Sequence, residues 1–338
     1  MKNSRLITYW ILFLIITQGC SQFVTDKQED DIRINDFNAT WTVFDEWYPY
    51  FEYKNIDWDH LYDIYYPQVT ASVSDEYLLV INKMLLELKD GHVEIRFKDG
   101  RGLCYSTPRQ IKDKNKFNFS VTRKYVTSNM DSLMGSVLYY GFISDLAYLR
   151  VSTFSDPDPQ TWASSINKIF TKFTDTRAMI IDVRHNPGGS TTNASQIISR
   201  CIEQPLSTPG WTEKGIYQEG PVFAPDEGNN FTNPIVVLVN GKSFSATEHF
   251  ALWMQHIDYV KLIGDTTGGG AGNPFYKLLP SGNKVRVPTR CFYRYDGIPI
   301  EWNGIEPDYL VVQSDEEIQQ GKDTQLEYAI KYLTNNTN

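Results

Sequence analysis

Three short, mostly apolar runs constrain the fold of this chain most strongly, because each leads into a turn that contains glycine. They lie at residues 178–183, 235–238 and 260–263. A continuous apolar run of this length is typical of a parallel strand that is buried on both faces. Apolar residues at helical spacing follow the first two turns. The repeated order of strand, turn and helix predicts an α/β core with a mostly parallel sheet.

The turns that follow these runs are the expected place for a functional site. In an open parallel sheet, ligands bind beyond the carboxyl ends of the strands, where the loops come together. We therefore expect the loops at residues 184–190, 240–245 and 264–272 to converge at one edge of the sheet.

The loop at residues 240–245 carries the hydroxyl groups best placed for chemistry. Ser243 and Ser245 stand between a strand end and the start of a helix that includes Phe250. At a helix start, free backbone N–H groups and the positive end of the helix dipole stabilise developing negative charge. Serine is also a preferred N-cap residue, so a purely structural role for these hydroxyls is the alternative.

The region before the core predicts helices. Apolar and aromatic residues recur at helical spacing within residues 38–97, and Gly91 fits the end of the last helix. His92 then stands at a junction between this helix and a short alternating segment that predicts a strand. Residues 20–37 are polar and acid-rich, which is typical of a flexible tether. Residues 98–338 form the predicted α/β core.

The beginning of the chain predicts export from the cell. A basic start, a mostly apolar stretch and a small residue before the break describe a signal peptide over residues 1–19. The following Cys20 resembles the lipidated cysteine in the lipobox of bacterial lipoproteins. This resemblance implies that a lipid on Cys20 anchors the protein to the outer membrane of the bacterial cell envelope. The protein would then face either the periplasm or the cell surface. Ordinary secretion with cleavage nearby is the alternative.

Charge and cysteine content disfavour several classes of protein. The formal net charge is −9 at pH 7 and no basic stripe is present, which disfavours nucleic acid as a partner. Beyond Cys20, the cysteines are Cys104, Cys201 and Cys291, without C-x-x-C spacing. We expect neither a disulfide framework nor a zinc site, and a single disulfide among these cysteines is the alternative. No other cofactor is expected. No later segment reaches the length of a membrane span.

Four segments of the core together resemble the S41 family of serine peptidases, which includes the C-terminal processing peptidases and the tricorn core. They are residues 182–189 (DVRHNPGG), 243–248 (SFSATE), 264–269 (GDTTGG) and 303–308 (NGIEPD). The resemblance implies a ClpP/crotonase-like core and a serine endopeptidase that acts on peptides or proteins through an acyl-enzyme. It makes Ser245 the nucleophile and assigns the oxyanion hole to the amide of Ala246 with that of Gly188 or Gly189. Glycine suits this task because its backbone N–H can approach a substrate closely.

The tricorn-like branch of the family indicates which residues activate Ser245. Many family members place a lysine in the glycine-rich loop, where this chain has two glycines. The tricorn-like branch instead uses a histidine from an N-terminal segment, matched here by His92, and a glutamate, matched here by Glu301. The resemblance therefore implies a Ser245, His92 and Glu301 arrangement.

Other residues compete for these two roles. His249 lies four residues after Ser245 and could share its helix face, which would allow it to act as the base. For Glu301, a solvated loop position without a catalytic role is the alternative. The remaining candidates are His185, His60 and His256 among the histidines, and Glu248 and Glu306 among the acids.

The sequence also bears on whether a PDZ domain is present and on whether the chain is an enzyme. Processing peptidases of this family often carry a PDZ domain before the core, but the span from His92 to Leu146 is short and lacks its carboxylate-binding glycine loop. We therefore expect no PDZ domain. Because a fold does not settle a function, a ligand carrier or a catalytically inactive surface lipoprotein on the same scaffold is the alternative to a peptidase.

Overall fold

The structure, a computed structural model, describes residues 32–104, 117–155, 158–228 and 230–336. The predicted signal peptide, the lipid-attachment residue Cys20 and tether residues 20–31 lie outside these ranges. The described residues form two compact units. The smaller unit comprises residues 32–89, 93–104 and 274–288, and the larger unit comprises the rest, including residues 90–92.

The secondary structure alternates between helices and short strands. In chain order the helices are α1 (residues 32–47), α2 (Phe51–Lys54), α3 (Trp58–Ala71), α4 (Glu76–Leu86), α5 (Phe119–Thr122), α6 (Pro159–Phe173), α7 (Thr191–Ser199), α8 (Ala246–Gln255), α9 (Asp315–Gln319) and α10 (Thr324–Asn336). The strands are β1 (Glu94–Arg96), β2 (Gly102–Cys104), β3 (Asp131–Leu133), β4 (Leu138–Ile143), β5 (Leu146–Val151), β6 (Ala178–Asp182), β7 (Leu206–Ser207), β8 (Trp211–Glu213), β9 (Ile216–Gln218), β10 (Val222–Phe223), β11 (Ile235–Val239), β12 (Val260–Gly264), β13 (Phe275–Leu278), β14 (Lys284–Val287), β15 (Arg290–Phe292) and β16 (Tyr309–Leu310).

The smaller unit combines helices α1 to α4 with a four-stranded antiparallel sheet of order β13-β14-β1-β2. Aromatic side chains at helical spacing build its core. The rings of Phe37 and Tyr62 lie 5.2 Å apart between centroids, and those of Phe44 and Trp58 lie 5.8 Å apart. The N-terminal helical region predicted from this spacing is confirmed.

Two predicted boundaries differ from the structure. The sequence predicts a tether through residue 37, but α1 already includes residues 32–37, because the fully buried Phe37 extends the aromatic face of the helix. The predicted helical region at residues 38–97 also omits the hairpin of β13 and β14, which belongs to the same unit. Pairing such as that of Ile95 with Val285 joins distant parts of the chain and leaves no local signal in the sequence.

The larger unit is built on a seven-stranded sheet of order β16-β12-β11-β6-β5-β4-β3. The five strands from β16 to β5 are parallel, while β4 and β3 pair in the antiparallel sense. The three apolar runs of the sequence are the adjacent strands β6, β11 and β12. The predicted α/β class with a mostly parallel sheet is therefore confirmed.

Helices cover both faces of this sheet. Helices α6, α7 and α8 pack on one face, where Trp162, Ile197 and Phe250 are buried. Helix α10 packs on the other face through residues that include Leu326 and Leu333. All residues of β6 and β11 are buried as a result, which explains why these strands are apolar runs rather than alternating ones, apart from Asp182 at the end of β6.

Within the described part of the chain, no helix combines the length and the apolar character needed to cross a bilayer. Cys201 and Cys291 are buried free thiols, so the two do not form a disulfide with each other. The side chain of Cys104 lies outside the described part.

Candidate active site

Three loops meet at the carboxyl edge of strands β6, β11 and β12. The Phe244 N–H donates to the Asn186 carbonyl oxygen over 3.0 Å, which joins the loop after β11 to the loop after β6. The Gly268 N–H donates to the Ser243 carbonyl oxygen over 2.9 Å, which adds the loop after β12. The convergence expected from the sequence is therefore present, and it lies where parallel sheets commonly carry a site.

Ser245 occupies the turn from β11 into α8 with an unusual backbone conformation, φ 59° and ψ −123°. A residue other than glycine is strained there and persists only where the surrounding structure holds it. The Ser245 N–H is held by the Gly270 carbonyl oxygen at 3.0 Å and by a Glu248 carboxylate oxygen at 3.2 Å. The hydroxyl oxygen of Ser245 lies 2.9 Å from Nε2 of His92.

His92 lies between α4 and β1 in the sequence, and its exposed fraction is only 1%. Its backbone N–H donates to the Asp90 side chain over 2.8 Å, and its ring packs against Phe244 with centroids 4.7 Å apart. These contacts hold the imidazole beside the Ser245 hydroxyl. The separation falls within the reach of about 2.6–3.2 Å that a general base requires.

Glu248 binds the backbone that surrounds the candidate nucleophile. Its fully buried carboxylate accepts hydrogen bonds from the Thr267 hydroxyl and from the N–H groups of Gly269 and Gly270, each over 2.7 Å. It also accepts the bond from the Ser245 N–H. Glu248 therefore ties the turn at Ser245 to the loop after β12. Because these four donors occupy its oxygens, it is a poor candidate for the acid that orients a histidine.

Gly188 brings the loop after β6 into close contact with Ser245, the candidate nucleophile. A Cβ atom at Gly188 would lie 2.8 Å from the Ala246 nitrogen and from the Ser245 Cβ, so a larger residue would push the loop away. The Gly188 N–H already donates to the Asn186 side chain over 2.9 Å. Among the described residues, the N–H groups of Gly189 and Ala246 have no acceptor, which leaves these two predicted donors available to a substrate oxygen.

Glu301 is fully buried, which rules out the solvated loop position that the sequence left open. The next residue, Trp302, donates its N–H to the Gly269 carbonyl oxygen over 3.0 Å, so the turn at Glu301 is attached to the loop that holds Ser245. Burial, with an added effect of the negative charge of Glu301, raises the pKa of the Cys291 thiol to about 11. The competing acid Glu306 is exposed.

The second hydroxyl of the turn has a structural role. The buried Ser243 donates its hydroxyl to the Val183 carbonyl oxygen over 2.9 Å and accepts the Asn240 N–H over 3.0 Å. These bonds stabilise the turn from inside. Ser243 therefore has the purely structural role that the sequence left open for both serines.

The competing histidines lie in other surroundings. His249 packs among aromatic rings, with centroids 4.4 Å from Phe292 and 5.5 Å from Trp253. His60 and His256 are exposed, and His256 stacks on a tyrosine. His185 donates its N–H to the Asn240 side chain, which shapes the loop after β6. Within the described ranges, no cluster of three or more His, Cys, Asp or Glu residues could hold a metal ion.

The ion pairs that anchor the loop after β6 were not predicted from the sequence. Arg184 is fully buried and forms ion pairs at 2.7 Å with both Asp182 and Asp323. Asp182 and Arg184 lie within the segment at residues 182–189 that resembles the S41 family, but Asp323 precedes α10, far along the chain. A buried ion pair between distant residues has no local sequence signal.

Two family profiles match parts of this chain. Residues 145–311 match the profile described as Peptidase family S41, and residues 33–86 match that of the Tricorn protease C1 domain. The first match contains Ser245 and Glu301, whereas His92 lies in neither.

Several known proteins are similar to the chain. A carboxy-terminal-processing protease of Bartonella bacilliformis is 29% identical over 203 residues, which are 58% of this chain and 45% of that protein. The tricorn protease of Thermoplasma acidophilum is 27% identical over 171 residues, 49% of this chain and 15% of that protein. The chain thus spans less than half the length of these curated relatives. A solved structure of a provisionally assigned peptidase from Parabacteroides merdae has a TM-score of 0.78 and 28% identity, covering 89% of this chain and 96% of that one.

Replacing Glu248 tests its hold on the turn. In Glu248→Gln, an amide NH₂ group replaces one acceptor oxygen, so at least one buried N–H loses its partner. We expect the free energy of unfolding to fall by about 1–3 kcal/mol, measured by chemical denaturation. The exposed control Glu316→Gln should stay within about 0.5 kcal/mol of wild type. Equal stability of the two variants would contradict this role for Glu248.

The burial of His249 predicts a pH dependence of stability. Burial lowers the pKa of His249 to about 4, against about 6.5 in an unfolded chain. The folded state therefore keeps His249 neutral while the unfolded state gains a proton, and stability is lost as the pH falls from about 6.5 to about 4. The difference between the two pKa values corresponds to about 3 kcal/mol.

His249→Phe should therefore lose less unfolding free energy over this pH range than wild type, as measured by urea denaturation at a series of pH values. His60→Phe, at an exposed position, should follow the wild-type curve. A His249→Phe curve as steep as that of wild type would show that His249 does not control the acid limb.

Proposed function

We propose that this chain is a serine peptidase of the S41 type that cleaves peptide bonds through an acyl-enzyme on Ser245. The observation that carries the proposal is the 2.9 Å separation between the Ser245 hydroxyl oxygen and His92 Nε2. A serine hydroxyl is a weak nucleophile until a neighbouring base takes its proton, and this separation suits that transfer. Relatives named carboxy-terminal processing proteases support peptide or protein substrates.

In the first step, His92 takes the hydroxyl proton while the Ser245 oxygen attacks the carbonyl carbon of the substrate. The carbonyl electron pair moves to its oxygen, which becomes an oxyanion. The N–H groups of Ala246 and Gly189 donate to this oxygen. Because both donors are backbone groups fixed before the reaction, they stabilise the new charge without reorganisation.

In the second step, the protonated His92 gives its proton to the leaving amine, and the C–N bond breaks. The acyl group stays on Ser245 as an ester. Water then loses a proton to His92 and attacks this ester. As the ester C–O bond breaks, His92 returns the proton to the Ser245 oxygen, which releases the acid product and restores the hydroxyl.

We assign Glu301 the role of orienting His92 and stabilising its protonated form. A buried carboxylate is costly unless a partner or a positive charge compensates it, and protonated His92 supplies such a charge during the reaction. The full burial of Glu301 supports this role, as does the attachment of its turn to Gly269. Export and lipid attachment at Cys20 belong to the same proposal and rest on the sequence alone.

A fluorophosphonate probe tests the proposal, because it reacts with serines that a base activates. We expect the probe to label the wild-type protein at Ser245, as located by peptide mass spectrometry, and Ser245→Ala to lose the label. His92→Gln should lower the labelling rate by about 10²-fold to 10⁴-fold, the usual range for removal of a general base. Ser164→Ala, which removes an exposed hydroxyl, should be labelled like wild type.

Two results would contradict the proposal. The folded wild-type protein could remain unlabelled, or Ser245→Ala could carry as much label as wild type. Either result would favour the ligand carrier or the inactive surface lipoprotein as the function of this scaffold.

A further inference from the structure

A buried charge network lies behind the loop that carries Gly188 and Gly189. All five N–H donors of the Arg184 guanidinium have acceptors. Asp182 accepts two of them, from Nε at 3.0 Å and from Nη2 at 2.7 Å. Asp323 accepts two more, from Nη1 at 2.7 Å and from Nη2 at 2.9 Å, and the Gln325 side chain accepts the fifth over 3.1 Å. The guanidinium is therefore fixed in position and in orientation.

Arg184 is the first residue of this loop. Its backbone N–H donates to the Asp182 side chain over 3.1 Å, and its carbonyl oxygen accepts a bond from Arg150 Nη1 over 3.0 Å. The chain therefore leaves β6 in one fixed direction. A few residues later, Gly188 is in close contact with Ser245. The position of Arg184 thus influences how the loop meets the nucleophile.

Asp323 enters this network from a distant element. It lies outside residues 145–311, the part of the chain that matches the S41 profile. It caps α10 by accepting the Leu326 N–H over 3.0 Å, and it accepts the Thr122 hydroxyl over 2.6 Å. The carboxylate is therefore held by two further elements while it binds Arg184, and it links them to the loop of the site.

The network also balances charge. Arg150 and Arg184 are both buried, and Asp182 lies within 3.5 Å of each. Although burial alone would raise it, the two arginine charges keep the pKa of Asp182 below its usual value. One carboxylate cannot neutralise two guanidinium groups, so Asp323 supplies the second negative charge. Removing one partner of a buried pair is strongly destabilising, because it leaves the other charge uncompensated.

We propose that Asp323 is a positioning residue for the oxyanion side of the active site and that it acts through Arg184. The proposal rests on the proposed peptidase function. Without the carboxylate, Arg184 shifts, and the loop that presents the Gly189 N–H shifts with it, while His92 and Ser245 keep their contact. Because oxyanion donors act mainly in the transition state, the effect should fall on the rate of the chemical step rather than on binding.

The test is the kinetics of inactivation by a fluorophosphonate at increasing probe concentrations. In this reaction the Ser245 oxygen bonds to phosphorus, fluoride leaves, the hydroxyl proton passes to His92, and negative charge develops on the phosphoryl oxygen. The maximal inactivation rate constant should fall by roughly 10-fold to 100-fold in Asp323→Asn. The probe concentration for half-maximal rate should stay within about threefold of wild type.

Leu333→Ala is the matched control. Leu333 is fully buried on the helix that Asp323 caps and belongs to the apolar cluster on that face of the sheet, so this variant should lower the Tm as a cavity substitution does. We expect it to keep the wild-type rate constant. An equal loss of rate in Leu333→Ala and Asp323→Asn would overturn the proposal, because general loosening of α10 would then explain both.

A second variant covers the case in which Asp323→Asn does not fold. Arg184→Met combined with Asp323→Leu replaces the pair with apolar side chains, a change that often preserves stability. We expect a folded protein with the same loss of rate, and a folded double variant with the wild-type rate constant would overturn the proposal. If the wild type were not labelled at Ser245 at all, the proposed function would fail as well. Labelling of wild type and Asp323→Asn at equal rates would overturn the positioning role alone.

Discussion

The candidate active site depends on the buried carboxyl group of Glu248, which holds Ser245 in a backbone conformation that serine seldom adopts. Strain of this kind costs about 1–3 kcal/mol and persists only where neighbouring groups impose it. Here the Ser245 N–H is shared between Glu248 and the Gly270 carbonyl oxygen, and the same carboxylate binds the N–H groups of Gly269 and Gly270. The position of Ser245 is thus set by backbone groups around one buried carboxyl group, which makes it far less variable than a side chain on a free loop.

The rest of the site is arranged around that fixed point by two separate supports. On the side of Ser245, the glycines of the loop after β12, which bind Glu248, also hold the turn that carries Glu301, through the bond from the Trp302 N–H to Gly269. On the side of the proposed oxyanion hole, Arg184 lies at the start of the loop that carries Gly188 and Gly189. Both supports use charged groups that are fully buried and hydrogen-bonded, so each fixes geometry rather than simply adding stability.

Local patterns predicted the parts of the fold that depend on local burial. Strands β6 and β11 were predictable because every residue in them is buried, which favours an apolar sequence throughout apart from the paired Asp182. The start of α1 at residue 32 and the hairpin of β13 and β14 were not, because their partners lie elsewhere in the chain. The candidate site divides in the same way. The residues alone left Ser243 and Ser245 as equal candidates, and resemblance to a family separated them. In sequence Glu248 looks like an ordinary acid in a first helical turn, since its glycine partners follow about twenty residues later.

The most direct measurement of the central claim is a crystal structure of the protein after reaction with diisopropyl fluorophosphate. We expect phosphorus bonded to the Ser245 oxygen, with the phosphoryl oxygen about 3 Å from the amide nitrogens of Ala246 and Gly189. His92 should remain beside the modified serine. Phosphorus on another residue, or a phosphoryl oxygen that points away from both amides, would contradict the account.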